Sequence, residues 1–359
     1  MEILTEIQVS VLTEASDVDR ALQADDLPLE GAVRGPTVGL SAKTQCLARG
    51  GDRAICRTWC VNAAGTQTSV LSVRPLGEPA TAASLDRVPH EYGLKDQLDS
   101  AWAVCPLALL RHGDRPVLKL QDPGGEPLER LLGAPFESGR FLRLAVGMAA
   151  ALGKAHQRGL VHKDLKPAHI FVDESTGSVR LTGFGLATLL PRERQSPAPP
   201  ETIAGTLAYM APEQTGRMNR SIDARSDLYS LGVTLYQMLT GSLPFAASEP
   251  MEWVRCHIAR KPVAPSERTE RVAARVSCIV MKLLAKTAEE RYQTALGLQY
   301  DLRHCLTEWE AIRQINPFPL ASLISVVIYR SSAMAICLAL LASVRERRVT
   351  TPRHEFRTI

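Results

Sequence analysis

Cysteine is present without a pattern. The eight are Cys46, Cys56, Cys60, Cys105, Cys256, Cys278, Cys305 and Cys337, and only Cys56 and Cys60 stand close. No second pair follows at zinc-ligand spacing, so a zinc ribbon is excluded and reduced thiols in a cytoplasmic protein are expected. An excess of charge is also lacking. With 42 Lys and Arg against 38 Asp and Glu, the net charge is +4 over 359 residues, which gives no reason to expect nucleic-acid binding. The opening Met1-Glu2-Ile3-Leu4-Thr5-Glu6 lacks the basic and apolar blocks of a signal peptide. No internal repeat and no low-complexity tract occurs. What is there is 45% hydrophobic and 22% charged, an ordinary globular balance with length enough for one large core or two smaller ones.

Residues 1–45 alternate acids, Ala, Gly and short apolar patches without a sustained period and form a poorly defined N-terminal segment. A β-rich lobe is expected over 46–121. Residues 54–61 read as a strand, Asn62-Ala63-Ala64-Gly65 as a turn and 68–73 as the return strand. Over 81–98 the spacing becomes helical, with Leu85, Val88, Tyr92 and Leu94 on one face among Asp86, Arg87, Glu91 and Lys95. Residues 107–110 and 117–120 bracket His112-Gly113-Asp114, a hairpin signal. Asp122-Pro123-Gly124-Gly125 then serves as a linker.

A helical lobe is expected over 122–313. A short helix begins at Leu128, Leu131 and Leu132. A longer one through Phe141, Leu144, Met148, Leu152 and Ala155 is stopped by Gly159. Residues 170–172 and 179–181 frame a turn, and the proline-rich stretch 191–200 is an exposed loop. Ser226 and Asp227 are read as the cap of an apolar helix running from Leu228 to Leu239 and ended by Gly241. Further helices fill 250–313, with Val276, Ile279, Val280, Leu283 and Leu284 as a core stripe.

One stretch carries chemistry: Val161-His162-Lys163-Asp164-Leu165-Lys166-Pro167-Ala168-His169-Ile170. A lone acid, a cation two residues later and a proline, with apolar residues at both ends, are the parts of a phosphoryl-transfer loop. Asp164 would accept the proton of a substrate hydroxyl, Lys166 would stabilise charge on the transferred phosphate, and Pro167 would stiffen the turn. Four further motifs follow in order. They are Gly205-Thr206-Leu207-Ala208-Tyr209-Met210, Ala211-Pro212-Glu213, Asp227-Leu228-Tyr229-Ser230-Leu231-Gly232 and Glu289-Glu290-Arg291-Tyr292.

Together these residues resemble a eukaryotic-type protein kinase domain over about 100–308. The resemblance implies an α+β, two-lobed fold with a small β-rich N-lobe, a helical C-lobe and a nucleotide cleft between them. It implies ATP and Mg2+ as cofactors and γ-phosphate transfer to Ser or Thr of a protein substrate, the class indicated by Lys166 after Asp164. It gives Thr206 the support of Asp164, Glu213 and Arg291 an ion pair, and Asp227 the start of the buried central helix. The stretch 205–245, with Gln214-Thr215-Gly216-Arg217-Met218-Asn219-Arg220 inside it, is similar to the N-terminal kinase-like domain of large bacterial hybrid signalling proteins. In these an ATPase-like region, a sensor domain and a histidine-kinase module usually follow.

The same resemblance marks departures. Gly183-Phe184-Gly185 stands where the family has Asp-Phe-Gly, and the magnesium carboxylate is gone. His169 stands in place of the metal-binding Asn, and a neutral imidazole is a poor magnesium ligand. No metal ligand set is therefore expected. Gly50-Gly51 carries no G-x-G-x-x-G pattern. No strand lysine is evident; Arg74 is the nearest cation and Glu91 its candidate partner, both otherwise surface charges. Arg74, Glu91 and His169 are thus the candidate nucleotide contacts. Two functions remain open: a serine/threonine kinase of weak activity, or an inactive pseudokinase that serves as a regulatory, partner-binding module.

The tail, 314–359, differs from the rest. Residues 319–344 are apolar except for Arg330 and small polar residues, long enough to span a bilayer. An Arg near the centre would cost about 2.5–3.5 kcal/mol on insertion. No Gly occurs after Gly297 and no Asp after Asp301, and six Arg but no Lys follow Asn316. The tail is read either as a reading-frame shift product or as a membrane anchor.

Overall fold

The computed structural model describes residues 43–50, 53–61, 67–76, 81–112, 115–189, 205–218 and 220–321. The N-terminal segment before residue 43, the turn 62–65, the loop 191–200 and the tail beyond 321 lie outside the described residues.

The N-lobe is built on five antiparallel strands: β1 (Lys43–Gly50), β2 (Arg53–Val61), β3 (Gln67–Pro75), β4 (Pro106–His112) and β5 (Arg115–Gln121), in the order β1-β2-β3-β5-β4. Ile55 pairs with Val73, and Val73 with Leu118. Side chains two apart share a face, so Ile55, Leu71, Val73, Leu118 and Leu120 lie on one side. There they form a core with Val88 of helix α1 (Ala82–Gly93). Thr81 caps α1 by accepting the Ser84 N–H. The expected helix over 81–98 ends sooner, because the Leu94 N–H turns back to the Glu91 carbonyl and a short 3-10 turn, Lys95–Gln97, follows.

The C-lobe packs around α3 (Ala224–Thr240), which is buried on nearly every side, as a helix apolar all round must be. Its cap is Asp223, not Ser226 or Asp227. Asp223 has extended backbone and accepts the Arg225 N–H at 2.8 Å, while Ser226 and Asp227 lie buried in the first turn. Around it stand α2 (Ser138–Gln157), α4 (Pro250–Ala259), α5 (Pro265–Arg268), α6 (Ala274–Leu283) and α7 (Ala295–Ile312). Past α7 the chain folds back. Ala321 donates its N–H to Asp301 (2.8 Å) and accepts from Lys282 Nζ (2.8 Å), and Phe318 packs on His304 with ring centres 4.3 Å apart. The chain is thus packed on the helical lobe as far as Ala321. No helix among the described residues is long and apolar enough to cross a membrane.

The lobes are joined by β6 (Glu126–Pro127) and by β8 (Ile170–Asp173), which pairs with β9 (Ser178–Leu181). Arg57 of β2 grips the linker, with two bonds to Asp122 (2.6 and 2.9 Å) and one to the Gly125 carbonyl. Gly125 is required: at φ +63° a Cβ would stand 2.1 Å from the Val172 carbonyl oxygen. Phe171 of β8 crosses between lobes and is buried in the N-lobe core with Ile55, Leu71 and Leu120.

Candidate active site

The chemistry-bearing loop hangs between β7 (Leu160–Val161) and β8, both buried, so its two ends are fixed. Asp227, from the first turn of α3, supports it from below. Its carboxylate accepts the N–H groups of His162 (2.8 Å) and Lys163 (2.9 Å) and hydrogen-bonds His156 Nε2 (2.9 Å). Burial pushes this carboxyl up, but the His156 hydrogen bond and the His156 and His162 charges prevail and hold it below its ordinary value. Lys163 adopts φ +64°, a left-handed conformation uncommon outside glycine. It is fixed there by Asp227 and by Gln214 Nε2 donating to its carbonyl at 2.7 Å.

This support presents Asp164 and Lys166 together. Asp164 Oδ1 accepts the N–H (2.8 Å) and the hydroxyl (2.9 Å) of Thr206. Lys166 Nζ lies 3.4 Å from Asp164 Oδ2 and donates to Thr206 Oγ1 at 2.7 Å. Base-type acid, phosphate-type lysine and threonine form one hydrogen-bonded unit. Behind them Arg291 meets Glu213 in a buried bidentate pair (2.7 and 2.9 Å). Its other N–H groups reach the carbonyls of Ala285, Arg225 and Lys286, and Ser226 donates to Glu213. Every donor of this guanidinium is used, which is what burial of a charge demands.

The opposite wall differs from expectation. Glu91 of α1 is fully buried rather than a surface charge. Its partner is Arg53, at the start of β2, whose Nη1 is 3.2 Å from Glu91 Oε2. The other carboxylate oxygen accepts the Gly183 N–H at 3.0 Å. Arg74 does not join them. It pairs with Ala54 in register, one position off the Ile55–Val73 pair, and so lies on the other face of the sheet. Arg53 also reaches across the cleft, with Nη2 3.9 Å from Asp164 Oδ2 and without a hydrogen-bond partner. Sequence reasoning missed Arg53; its only local signal is a cation opening a strand just after Gly50-Gly51.

His169 is buried and committed. Its Nδ1 hydrogen-bonds the Asp164 carbonyl at 2.7 Å. Burial, then the charges of Lys166, Arg53 and His162, push its pKa well below the usual value. The ring is neutral, and Nδ1–H is the donor. Gly183 has φ +80°, and a Cβ there would fall 2.6–2.8 Å from three atoms of the His169 ring. These residues do not fit a magnesium ion: one position has no side chain and the other offers an imidazole whose Nδ1 is taken. No cluster of three His, Cys, Asp or Glu suited to a metal occurs among the described residues.

Between the lobes lies a cavity of about 110 Å³, lined by Arg53, Ile55, Lys166, His169, Thr206 and Tyr209 among others. Ligand pockets usually start near ~300 Å³. Phe171 is buried in the N-lobe cluster and does not line this cavity.

Comparison with known proteins agrees with this architecture. The protein kinase domain family matches residues 80–303, well over half of the chain. The chain belongs to the protein kinase family. The match begins past β3, so the strands that carry Arg53 and lack a glycine-rich lid fall outside it. Serine/threonine-protein kinase PknB of Mycobacterium tuberculosis is 38% identical over 168 residues, 47% of this chain and 26% of that protein. Serine/threonine-protein kinase Pkn1 of Myxococcus xanthus is 36% identical over 218 residues, 58% of this chain and 30% of that protein. The match thus spans between a quarter and a third of each relative's length. The kinase domain read from the motifs, with its two lobes, is the one found.

Proposed function

We propose that this chain is a serine/threonine-type protein kinase domain that acts as a regulatory, partner-binding module in signalling, with phosphate transfer from ATP lost. The observation that carries this reading is the missing metal site. Gly183 offers no side chain, His169 is packed against it with its Nδ1 taken, and Arg53 spans Glu91 and Asp164. In this chemistry the protein acts almost wholly by positioning and by stabilising charge. A cleft with no metal site among the described residues and a cavity of about 110 Å³ can do little of either.

A second reading, a serine/threonine kinase of low activity on a protein substrate, is favoured by one observation. The Asp164, Lys166 and Thr206 unit is complete and hydrogen-bonded. ATP binding measured with and without magnesium separates the two, together with phosphate transfer by wild type and Asp164→Ala. The first reading expects weak ATP binding indifferent to magnesium and no transfer. Transfer, even slow, that Asp164→Ala abolishes would refute it and establish the second. The protein kinase match and the resemblance at 205–245 support a place inside a larger hybrid signalling protein. Reading the coding DNA in the other two frames past residue 321 tests that placement and the origin of the tail.

A further inference from the structure

We propose that His169 and Gly183 are a single interlocked exchange, in which the imidazole occupies the space that a side chain at 183 needs and so keeps a divalent cation out of the cleft. The inference rests on the reading that transfer is lost, and it names the physical obstacle. The missing carboxylate alone does not explain the exclusion. At φ +80° the backbone of Gly183 suits glycine, but Asp and Asn also tolerate that region. The backbone would thus accept the family's Asp. The ring would not: a Cβ at 183 falls 2.6 Å from His169 Cγ, 2.7 Å from Cδ2 and 2.8 Å from Nδ1.

Nor can the ring swing aside. Its Nδ1–H is held by the Asp164 carbonyl at 2.7 Å, and it leans on His162 with ring centres 5.8 Å apart. His162 is itself fixed, by Nε2 on the Thr182 carbonyl at 2.8 Å and by the Phe184 ring at 4.8 Å. The rest of the frame that would aim a carboxylate from 183 is retained. The Gly183 N–H is bound by Glu91, and Phe184 and Gly185 are buried. An intact frame holds a ring where the metal ligand would stand.

The test uses the whole chain in two arms. In the stability arm, Gly183→Ala is expected to lower the melting temperature by several degrees. In a His169→Ala background the same change should cost roughly half as much or less, a coupling that residues in contact show and distant ones do not. In the metal arm the probe is manganese(II) alone, followed by its paramagnetic resonance. Wild type and Gly183→Asp are expected not to bind it at millimolar metal, whereas His169→Asn with Gly183→Asp together should bind it. Additive losses in the first arm overturn the proposal. So does manganese binding by Gly183→Asp with His169 in place, or its absence in a cooperatively melting double variant. Kinase activity in the wild type would refute the proposed function while leaving the stability coupling as it is, so the two failures are distinguishable.

Discussion

At the scale of the residue, the chain keeps its buried charges only where they are paired. Glu91 has no exposed surface, one arginine and one backbone N–H. Arg53→Met would strand this carboxylate in the interior, and breaking a buried pair costs about 3–5 kcal/mol. Denaturant midpoints should show that loss, and Arg53→Met with Glu91→Leu should recover most of it, since an apolar pair of similar volume is near neutral. Wild-type stability in the single variant would refute the pairing. His257 gives a pH test. It is buried between the Tyr229 hydroxyl (3.0 Å) and the Leu207 carbonyl (2.8 Å), linking the segment after Thr206 to α3. Burial, then the Lys286 charge, lower its pKa from 6.5 to about 4. A depressed value means that the fold binds the neutral ring. Its contribution is complete above pH 6.5 and is lost as pH falls through the window down to about 4. At about 1.4 kcal/mol per pH unit this amounts to roughly 3 kcal/mol. Unfolding of wild type should weaken more steeply across that window than unfolding of His257→Gln, and equal slopes would contradict the assignment.

At the scale of the element, α3 does two jobs with two acids four residues apart. Asp223 caps the helix at an intermediate, partly solvated site, and Asp223→Ala should cost about 1 kcal/mol. Asp227 instead holds the N–H groups of His162 and Lys163 under the loop. Asp227→Ala leaves both donors without their acceptor and releases a strained Lys163 backbone, so its cost should be larger, about 3 kcal/mol or more. Thermal melts of the two variants rank them, and a larger loss for Asp223→Ala would contradict this division of labour. The sequence showed that a helix begins near 224 but assigned the cap to Ser226 and Asp227. The apolar run starts at Leu228, and nothing local shows that the two polar residues before it face inward. The packing of the segment past 313 was illegible for a related reason. Residues 314–321 have no helical or strand period, and what fixes them is Lys282, Asp301 and His304 from helices already passed.

At the scale of the whole molecule, the two lobes keep separate cores, and Phe171 of β8 is buried in that of the N-lobe. Phe171→Ala should cost about 3–5 kcal/mol, as deletion of a buried aromatic does. It should also open room between Ile55, Leu71 and Leu120. Adenosine affinity, measured by calorimetry, should then rise roughly tenfold or more, equivalent to about 1.4 kcal/mol. A folded Phe171→Ala variant with wild-type adenosine affinity would show that the room so opened does not admit the base.

The sequence by itself determined the C-lobe, the loop from His162 to His169 and the kinase family. Those signals are contiguous: helical periods, short motifs in fixed order, and an acid and a lysine two residues apart. It also showed the missing Asp at Gly183 and the missing Asn at His169. Tertiary structure alone decided what filled the gaps. Arg53 finds Glu91 across 38 residues of chain, and Phe171 packs into a lobe that its own segment does not belong to. Arg74, next to the position that faces α1, turns away because a strand reverses its face with every residue. Local spacing fixes which element forms. Which side chain enters the cleft depends on sheet register and on how two lobes close on each other, and no short stretch of sequence encodes either.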